Sequence, residues 1–444
     1  MALTKTTRVR YVIVLMLFLA STFSYGDRVV LSIAASDISH DLHLDALRLG
    51  YLFSGFGWAY AAAQLPAGSL LDRFGSKRVY GVSILCWSCC ALLSGFTGYL
   101  PAVFAFYVLF GLRLLSGLAQ SPVFPGNGRI VAAWSPAAER GRASAIFNSS
   151  QYFSLVLFAP LMGWIAHALG WKQCFWFAGS IALALGVIWF RVIHGVKTHP
   201  RISRQEIDLI ERGGGLVSLD GSNQRRTNTL TWPIVRWLLG NRMLVGIYLG
   251  QYCITTLTWF FLTWFPIYLS QARHVSMVRA GFLAAAPALC GVAGGILGGM
   301  ASDRLLKTGH SLTFARKTPI VAGMLLAMTM VACNYVSSSL AVTLLMSLAF
   351  FGKGFGALGW TVISDTSPKS LVGVNGGLFN LIGNLAGITT PIIIGAIVKN
   401  TGAFQYALVF VAATALLAIV AYLPIVGEIR RLEVPAKLLP ESGT

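Results

Sequence analysis

Twelve long apolar runs, arranged as six, a hydrophilic gap and six more, constrain this chain more than any other feature of its sequence. Apolar stretches read against polar breaks predict helices near 11–36, 49–71, 79–99, 102–134, 143–168 and 173–193, then 243–270, 277–302, 317–336, 339–365, 371–399 and 403–426. A bilayer-crossing helix needs about 20 mostly apolar residues, and every run is long enough. Of the 444 residues, 56% are apolar and 11% charged, and the mean hydropathy is +0.70. A soluble domain carries roughly 25% charged residues. A water-soluble globule is therefore excluded, and the expected fold is all-α: a polytopic membrane protein of twelve transmembrane helices in two six-helix pseudo-repeats. Lys5, Arg8 and Arg10 precede a first run that leads into eleven more, so it is expected to stay as a span and not be cleaved as a signal peptide.

The expected organisation is an N-terminal six-helix half over 1–193, a cytoplasmic linker over 194–242, a C-terminal half over 243–426 and a cytoplasmic tail over 427–444. The linker holds His199-Pro200, the Gly213–Gly215 run and Glu206, Asp208 and Glu211, and reads as a hydrophilic segment with a short surface helix. The net charge of +19 would suggest nucleic acid in a soluble protein, but the basic residues lie between the apolar runs. Of 34 Lys and Arg, 26 fall on the face holding both termini and the linker, 5 on the other and 3 within helices. The positive-inside rule places both termini in the cytoplasm, with anionic lipid as the partner for this charge. The seven cysteines fall in or beside apolar runs without metal-ligand spacing and read as small buried hydrophobes, so no disulfide framework and no metal are expected.

Sliding the halves over each other exposes an internal repeat. SPAAERGRASAIFN at 135–148 and SPKSLVGVNGGLFN at 367–380 share Ser-Pro, a Gly five positions after the Pro, and Phe-Asn, at an offset of 232. Gly68-x-x-x-Asp72-Arg73 and Gly299-x-x-x-Asp303-Arg304 agree at an offset of 231. Two parallel halves related by an axis along the membrane normal follow, with the ligand site expected in a central cavity between them.

Gly68-Ser-Leu-Leu-Asp72-Arg73-Phe-Gly75-Ser-Lys77-Arg78 resembles the loop signature between the second and third helices of the major facilitator superfamily, with its weaker copy at Asp303 and Arg304. Small residues there let helices approach, while Asp72 can cap a neighbouring helix or pair with a loop Arg to hold one gate conformation. SYGDRVVLSIA (24–34), SPVFPGNGRIVAAW (121–134), FNSSQYF (147–153), TWFFLTWFPIYL (258–269) and FFGKGFGALGW (350–360) are similar to the bacterial anion:cation symporter branch, most of all to its glucarate and galactarate (aldarate) proton symporters. The resemblance spans the chain outside its first ten residues, linker and tail. It implies a secondary transporter for a sugar-acid dicarboxylate, working by alternating access with protons as co-substrate, without a cofactor and as a monomer.

The polar residues at membrane depth carry their own argument. A charge there costs about 2.5–3.5 kcal/mol on insertion scales, so each needs a partner or a wet cavity. Asp27 and Arg28 lie in the first span, Arg113 in the fourth and Lys353 in the tenth, with Asp365 nearer an end. Asp27 could neutralise Arg113, but three cations against one acid leave about two positive charges over, which a dianionic ligand would balance. The planar fork of Arg28 and the compact ammonium of Lys353, one from each half, suit the two ends of a dicarboxylate. Tyr60 and Gln64, Gln251 and Thr255, and Asn380 and Asn384 are each four apart; Asn148, Gln151 and Tyr152 share a face; Lys353 and Trp360 stand two turns apart on one helix. Such side chains suit a polyhydroxylated acid or bond neighbouring helices. The resemblance assigns Tyr25, Arg28, Tyr60, Gln151, Gln251, Trp360 and Asn380 to the substrate pocket, and leaves Gln64, Tyr152 and Asn384 one layer further out.

Arg113 and Gln120 are two turns apart on one face. The resembled transporters typically carry Glu where Gln120 stands, and it takes part in proton coupling with the acid that matches Asp27. Glutamine cannot titrate and has nearly the shape of a protonated Glu. This departure implies that the chain exchanges substrate but couples it to protons weakly or with altered stoichiometry. Within transport, the alternative substrate is a monocarboxylate sugar acid such as galactonate. Outside it stand a channel and a transporter-like receptor. An enzyme is disfavoured because all seven histidines fall in loops or at helix ends and Asp27 has no second carboxylate at depth; no Gly-x-x-x-x-Gly-Lys-Ser/Thr loop points to ATP.

Overall fold

Each apolar run becomes helix, because backbone N–H and C=O groups in lipid have no water to bond and must pair within their own segment. The computed structural model of the chain describes residues 7–218, 232–368 and 371–435, so Lys5, parts of the expected linker and tail, and two residues of the second Ser-Pro motif lie outside the described residues. The chain divides into two compact units, 1–225 with 276–282, and 226–275 with 283–444. The first unit holds α1 (Val9–Asp41), α2 (Ala46–Phe74), α3 (Ser76–Phe96), α4 (Ala102–Gln120), α5 (Val123–Trp134), α6 (Ala137–Leu169), α7 (Trp171–Val192) and α8 (Arg204–Arg212). The second holds α9 (Trp232–Gly240), α10 (Arg242–Trp259), α11 (Phe265–Ile267), most of α12 (Met277–Lys307), α13 (Leu312–Ala327), α14 (Ser339–Phe355), α15 (Gly359–Thr366), α16 (Val372–Asn384), α17 (Ala386–Thr401) and α18 (Gln405–Val420). Among the described residues no strand occurs. Among the described residues eleven helical stretches are long and apolar enough to cross a membrane, and α2, with 29 residues, accounts for the remaining run.

Several helices outrun the apolar runs that predict them, since hydropathy sees only the lipid-depth portion and caps decide the ends. Asp45 caps α2 by accepting the Arg48 N–H, and Gly75 closes it at φ +78°, a left-handed position open to glycine. Four expected spans are also interrupted. The fourth breaks at Ser121-Pro122 between α4 and α5, the tenth at 356–358 between α14 and α15, and the eleventh at Leu385. The seventh continues past α10 through widened π turns at Phe260–Trp264 and Tyr268–Ala272, on either side of α11 and its Pro266, which has no N–H to give the ladder. The breaks in the fourth and tenth spans fall at nearly matching places in the two repeats. Lys353 and Trp360 consequently do not share one continuous helix, which corrects the two-turn spacing expected of them.

Close packing rests on glycine. A Cβ on Gly117 of α4 would sit 2.3 Å from the Phe56 carbonyl of α2. In the second unit, a Cβ on Gly294 or Gly298 of α12 would sit 2.1 Å from the carbonyls of Phe351 and Phe355 on α14. The same span pairing, second with fourth and eighth with tenth, is thus made by backbone-to-backbone approach in both repeats.

The segment after each sixth span folds back within its own unit. In the first, Leu216 N–H donates to the Ala132 carbonyl at 2.9 Å and Ala137 N–H to Gly213 at 2.7 Å. In the second, Leu432 N–H donates to Thr366 at 2.9 Å, and Arg431 reaches the Ser364 carbonyl at 3.3 Å. Each unit therefore pins the turn between its fourth and fifth spans with its own trailing segment.

The short linker helix is not merely a surface element. Ile210 of α8 is fully buried in the apolar cluster with Ile130, Trp134 and Val196, and the Glu206 carboxylate is buried with it. Glu206 accepts from Val9 N–H at 3.0 Å and Arg10 N–H at 3.1 Å, satisfying orphan donors at the start of α1, and pairs with the Arg10 guanidinium at 3.3 Å. Arg10 also bonds Glu139 of α6 at 3.0 Å. Glu206→Ala is expected to cost about 3 kcal/mol, because it leaves two helix N–H groups without their acceptor and Arg10 with Glu139 in place of two acidic partners. Thermal melting in detergent reads it; an unchanged midpoint would deny α8 this clamping role. Two cysteine expectations also change: Cys86 and Cys89 are exposed on α3, while Cys90, Cys174, Cys253 and Cys333 are buried.

Candidate functional site

In an α-helix successive residues point about 100° apart, so neighbouring Asp27 and Arg28 on α1 serve different partners. Asp27 turns to α4, where its Oδ2 accepts from Arg113 Nη1 at 3.0 Å and from Gln120 Nε2 at 3.1 Å. Ser24, one turn earlier, donates its hydroxyl to Gln120 Oε1 at 2.8 Å. The two-turn spacing of Arg113 and Gln120 thus puts both on one carboxylate, and all three side chains are buried. The amide orientation is set by its partners, since turning it over would aim a carbonyl oxygen at Asp27.

Arg28, also buried, lies among aromatic faces. Its guanidinium carbon is 4.2 Å from the Phe56 ring centroid, 4.7 Å from Tyr25 and 5.6 Å from Tyr60. Phe56 and Tyr60 stack at 5.3 Å, one turn apart on α2. Tyr25, Arg28 and Tyr60 are therefore brought together, with Tyr152 of α6 in electrostatic reach of Tyr25. Gln151 and Gln64 are half-buried on α6 and α2, while Asn148 is exposed. Phe56 and Ser24 are the additions that sequence reading misses. Phe56 had a signal in the Phe56, Tyr60, Gln64 spacing, but a phenylalanine in an apolar helix draws no notice.

The second unit gathers its own set. Lys353, 4% exposed, sits in the last turn of α14, where a cation suits the helix dipole, and its Nζ lies 5.2 Å from the Phe350 ring. Phe350 in turn packs on Phe261 at 4.3 Å. Gln251 bonds Thr255 at 3.2 Å, and it packs against Gly359 and Gly383, where an added Cβ would meet it at 2.5 and 2.8 Å. Trp360 meets Phe379 edge to face at 4.9 Å, and Asn384 donates to Asn380 Oδ1 at 3.1 Å. Gln251, Trp360 and Asn380 are thereby linked through Gly359, Phe379 and α16.

The loop motif makes ion pairs within each unit. Asp72 pairs with Arg129 of α5, a helical arginine, and α3 has no side-chain cap, so of the two expected roles the structure has pairing. Arg73 lies over Phe74, Lys77 gives its carbonyl to Trp189, Gly68 has open space around it and Arg78 is exposed. In the second unit Arg316 joins Asp365 at 2.8 Å and Asp303 at 3.5 Å, and bonds Ser302 at 2.8 Å, while Arg304 is exposed. Asp365 is thus neutralised by a partner that sequence reading did not assign. Among the described residues no group of three His, Cys, Asp or Glu could hold a metal.

Comparison with known proteins agrees with this architecture. The chain is 57% identical over 96% of its length, and 94% of the relative's, to a probable galactarate/D-glucarate transporter, GudP, of Bacillus subtilis (strain 168). It is 52% identical over 99% of its length, and 97% of the relative's, to the GudP protein of Escherichia coli (strain K12), which carries the same description. A D-galactonate transporter of Escherichia coli O6:H1 is 37% identical over 96% of this chain and 98% of its own. Among solved structures, a D-xylose-proton symporter superposes with a TM-score of 0.72 at 15% identity, covering 94% of this chain and 98% of the other. At that identity the likeness speaks for the fold alone. The Major Facilitator Superfamily pattern matches residues 17–389, and together with these relatives it establishes that the chain belongs to the Major Facilitator Superfamily and is a transporter, not an enzyme.

Proposed function

We propose that the chain takes up a sugar-acid dicarboxylate, glucarate or galactarate, by alternating access. The observation that carries this is a buried cation against aromatic rings in each unit: Arg28 beside Phe56, Tyr25 and Tyr60, and Lys353 beside Phe350. A guanidinium and an ammonium each bring a positive charge and N–H donors, the chemistry that a carboxylate needs. Arg28 receives one carboxylate as a two-pronged fork and Lys353 the other as a point charge. Tyr25, Tyr60, Gln151, Gln251, Trp360 and Asn380 supply hydroxyl, amide and ring contacts to the polyol chain. The names borne by the relatives at 57% and 52% identity support the substrate class.

The halves 1–193 and 243–426 are the bodies that alternate, with Asp72–Arg129 and Asp303–Arg316–Asp365 bracing their ends. The chain sits in the bacterial inner membrane, as its kinship with bacterial transporters supports, and the bias of basic residues supports cytoplasmic termini. Asp27, Arg113 and Gln120 form the charge relay, in which Gln120 stands as a fixed neutral donor, so proton coupling is weak. The protein works as a monomer.

Thermal-shift or tryptophan-fluorescence titration of the purified chain with glucarate, galactarate, galactonate and gluconate, at mildly acidic and at neutral pH, tests the reading. Selective stabilisation by the two aldarates with little pH dependence is the expected result. Equal binding of the monocarboxylates removes Lys353 from its role, and no binding by any of the four overturns the substrate class.

A further inference from the structure

Gly117, Gly294 and Gly298 make room chiefly for a neighbour's backbone, whereas Gly383 of α16 makes room for polar side chains. The three atoms nearest to a Cβ built there all belong to α10: Gln251 Cγ at 2.8 Å, Thr255 Oγ1 at 3.5 Å and Gln251 Nε2 at 3.7 Å. The first is about 0.7 Å inside an ordinary carbon–carbon contact, so a methyl at 383 and the present course of Gln251 exclude each other. The Gln251 amide also lies against Gly359 of α15, where an added Cβ would meet its Oε1 at 2.5 Å, and its Nε2 donates to Thr255 Oγ1 at 3.2 Å. Three helices thus meet on one amide, and two of them meet it at a residue without a side chain.

We infer that Gly383 is a positioning residue for substrate recognition: its missing side chain lets Gln251 pass along α16 and hold its amide where a hydroxyl of the substrate's polyol chain meets it. The inference rests on the proposed role of Gln251 as a polyol contact. Two physical points carry it. Gly383 is buried within α16, where glycine is a poorer helix former than alanine, so the local backbone gives no reason for it. What the gap admits is the amide of a residue placed in the pocket, and its surroundings belong to the same pocket: Asn380 lies one turn earlier on α16, and Trp360 follows Gly359 on α15. With Nε2 given to Thr255, the carbonyl oxygen Oε1 is the end of the amide that accepts from a hydroxyl. Such a bond weakens steeply when the acceptor is moved out of line. Gly383 touches no substrate atom in this scheme; it acts through Gln251.

The test is Gly383→Ala in the full chain, read by galactarate titration, by transport and by thermal melting. Galactarate binding is expected to weaken about three- to tenfold, the loss of one neutral hydrogen bond, with the KM of uptake raised and kcat held. The melting midpoint is expected to hold or rise, because alanine favours the helix and the atom it displaces belongs to a flexible side chain. On a Gln251→Ala background, Gly383→Ala is expected to change binding no further. Unchanged binding in G383A overturns the inference. Equal weakening on both backgrounds also overturns it, since the methyl would then act on something other than Gln251, and so does a lowered midpoint, since the methyl would then be meeting the fold and not the amide. Gln251→Ala alone separates the two layers. Weakened galactarate binding in Q251A with unchanged binding in G383A overturns the role of Gly383 only, whereas unchanged binding in Q251A overturns the reading of Gln251 and this inference with it.

Discussion

Lys353→Asn is expected to weaken glucarate and galactarate binding on the order of 10- to 100-fold while leaving galactonate and gluconate within a few-fold of their starting affinities. A hydrogen bond to a charged group contributes roughly 1.5–3 kcal/mol, and each 1.4 kcal/mol is a factor of ten in affinity. Lys353 Nζ is buried at the end of α14 against Phe350, so its charge is little screened by solvent. A dicarboxylate has a second anionic end to lose; a monocarboxylate does not, provided that Arg28 takes its single carboxylate. Asparagine keeps a polar group at the site and removes the buried charge. Titration calorimetry with the four acids reads the split directly. Equal weakening of mono- and dicarboxylates would count against a dedicated second-carboxylate site and would make Lys353 a general attractor of anions. No weakening at all would place the second carboxylate elsewhere.

How far this architecture can be read from the chain depends on what surrounds each residue. The spans are legible because an apolar run in lipid has one local solution, the helix. The pairing of Arg113 and Gln120 on Asp27 is legible in part, because seven residues bring two side chains to one face and charges at depth need partners. The interruptions at Ser121-Pro122 and at 356–358 do not read as loops, because no charged residue falls within either; Pro122 and Gly356 hint at them. Phe56 is hidden because a phenylalanine among apolar neighbours is ordinary core until a cation is seen beside it. Glu206 misleads for the opposite reason: it reads as a solvated charge on a hydrophilic linker, while its partners at Val9 and Arg10 lie 196 to 197 residues away. Arg316, likewise, sits among basic loop residues that topology alone explains, yet it gathers Asp303, Asp365 and Ser302. Patterning therefore reports on solvent and period, and it is blind to contacts made across the fold by residues whose type already suits their segment.

Gln120→Glu is expected to give uptake a dependence on the proton gradient that the parent chain has only weakly. In the parent, the Gln120 amide donates to Asp27 at 3.1 Å and accepts from Ser24 at 2.8 Å, so the site is satisfied without a titrating proton. A glutamate there can keep the bond to Asp27 only by carrying a proton. If both acids were ionised, two negative charges would face each other at about 4 Å with an effective dielectric constant near 20, a repulsion of about 4 kcal/mol, or nearly a thousandfold. The pair would therefore hold one proton between them, and releasing it would leave a net negative charge beside Arg113. Charge balance in the proposed site changes with it. Arg28, Arg113 and Lys353 against ionised Asp27 and a dianion sum to zero with no proton bound; with an ionised glutamate added, one proton restores zero. Binding would then be tied to protonation and release to deprotonation, which is what symport requires. The measurement is uptake of labelled galactarate into proteoliposomes with an alkaline interior: the parent should equilibrate the label with little accumulation, and Gln120→Glu should accumulate it, with the gain abolished by a protonophore. Counterflow at uniform pH separates coupling from translocation, and both chains should perform it. Identical accumulation by parent and variant would remove Gln120 from the relay and return the coupling question to Asp27.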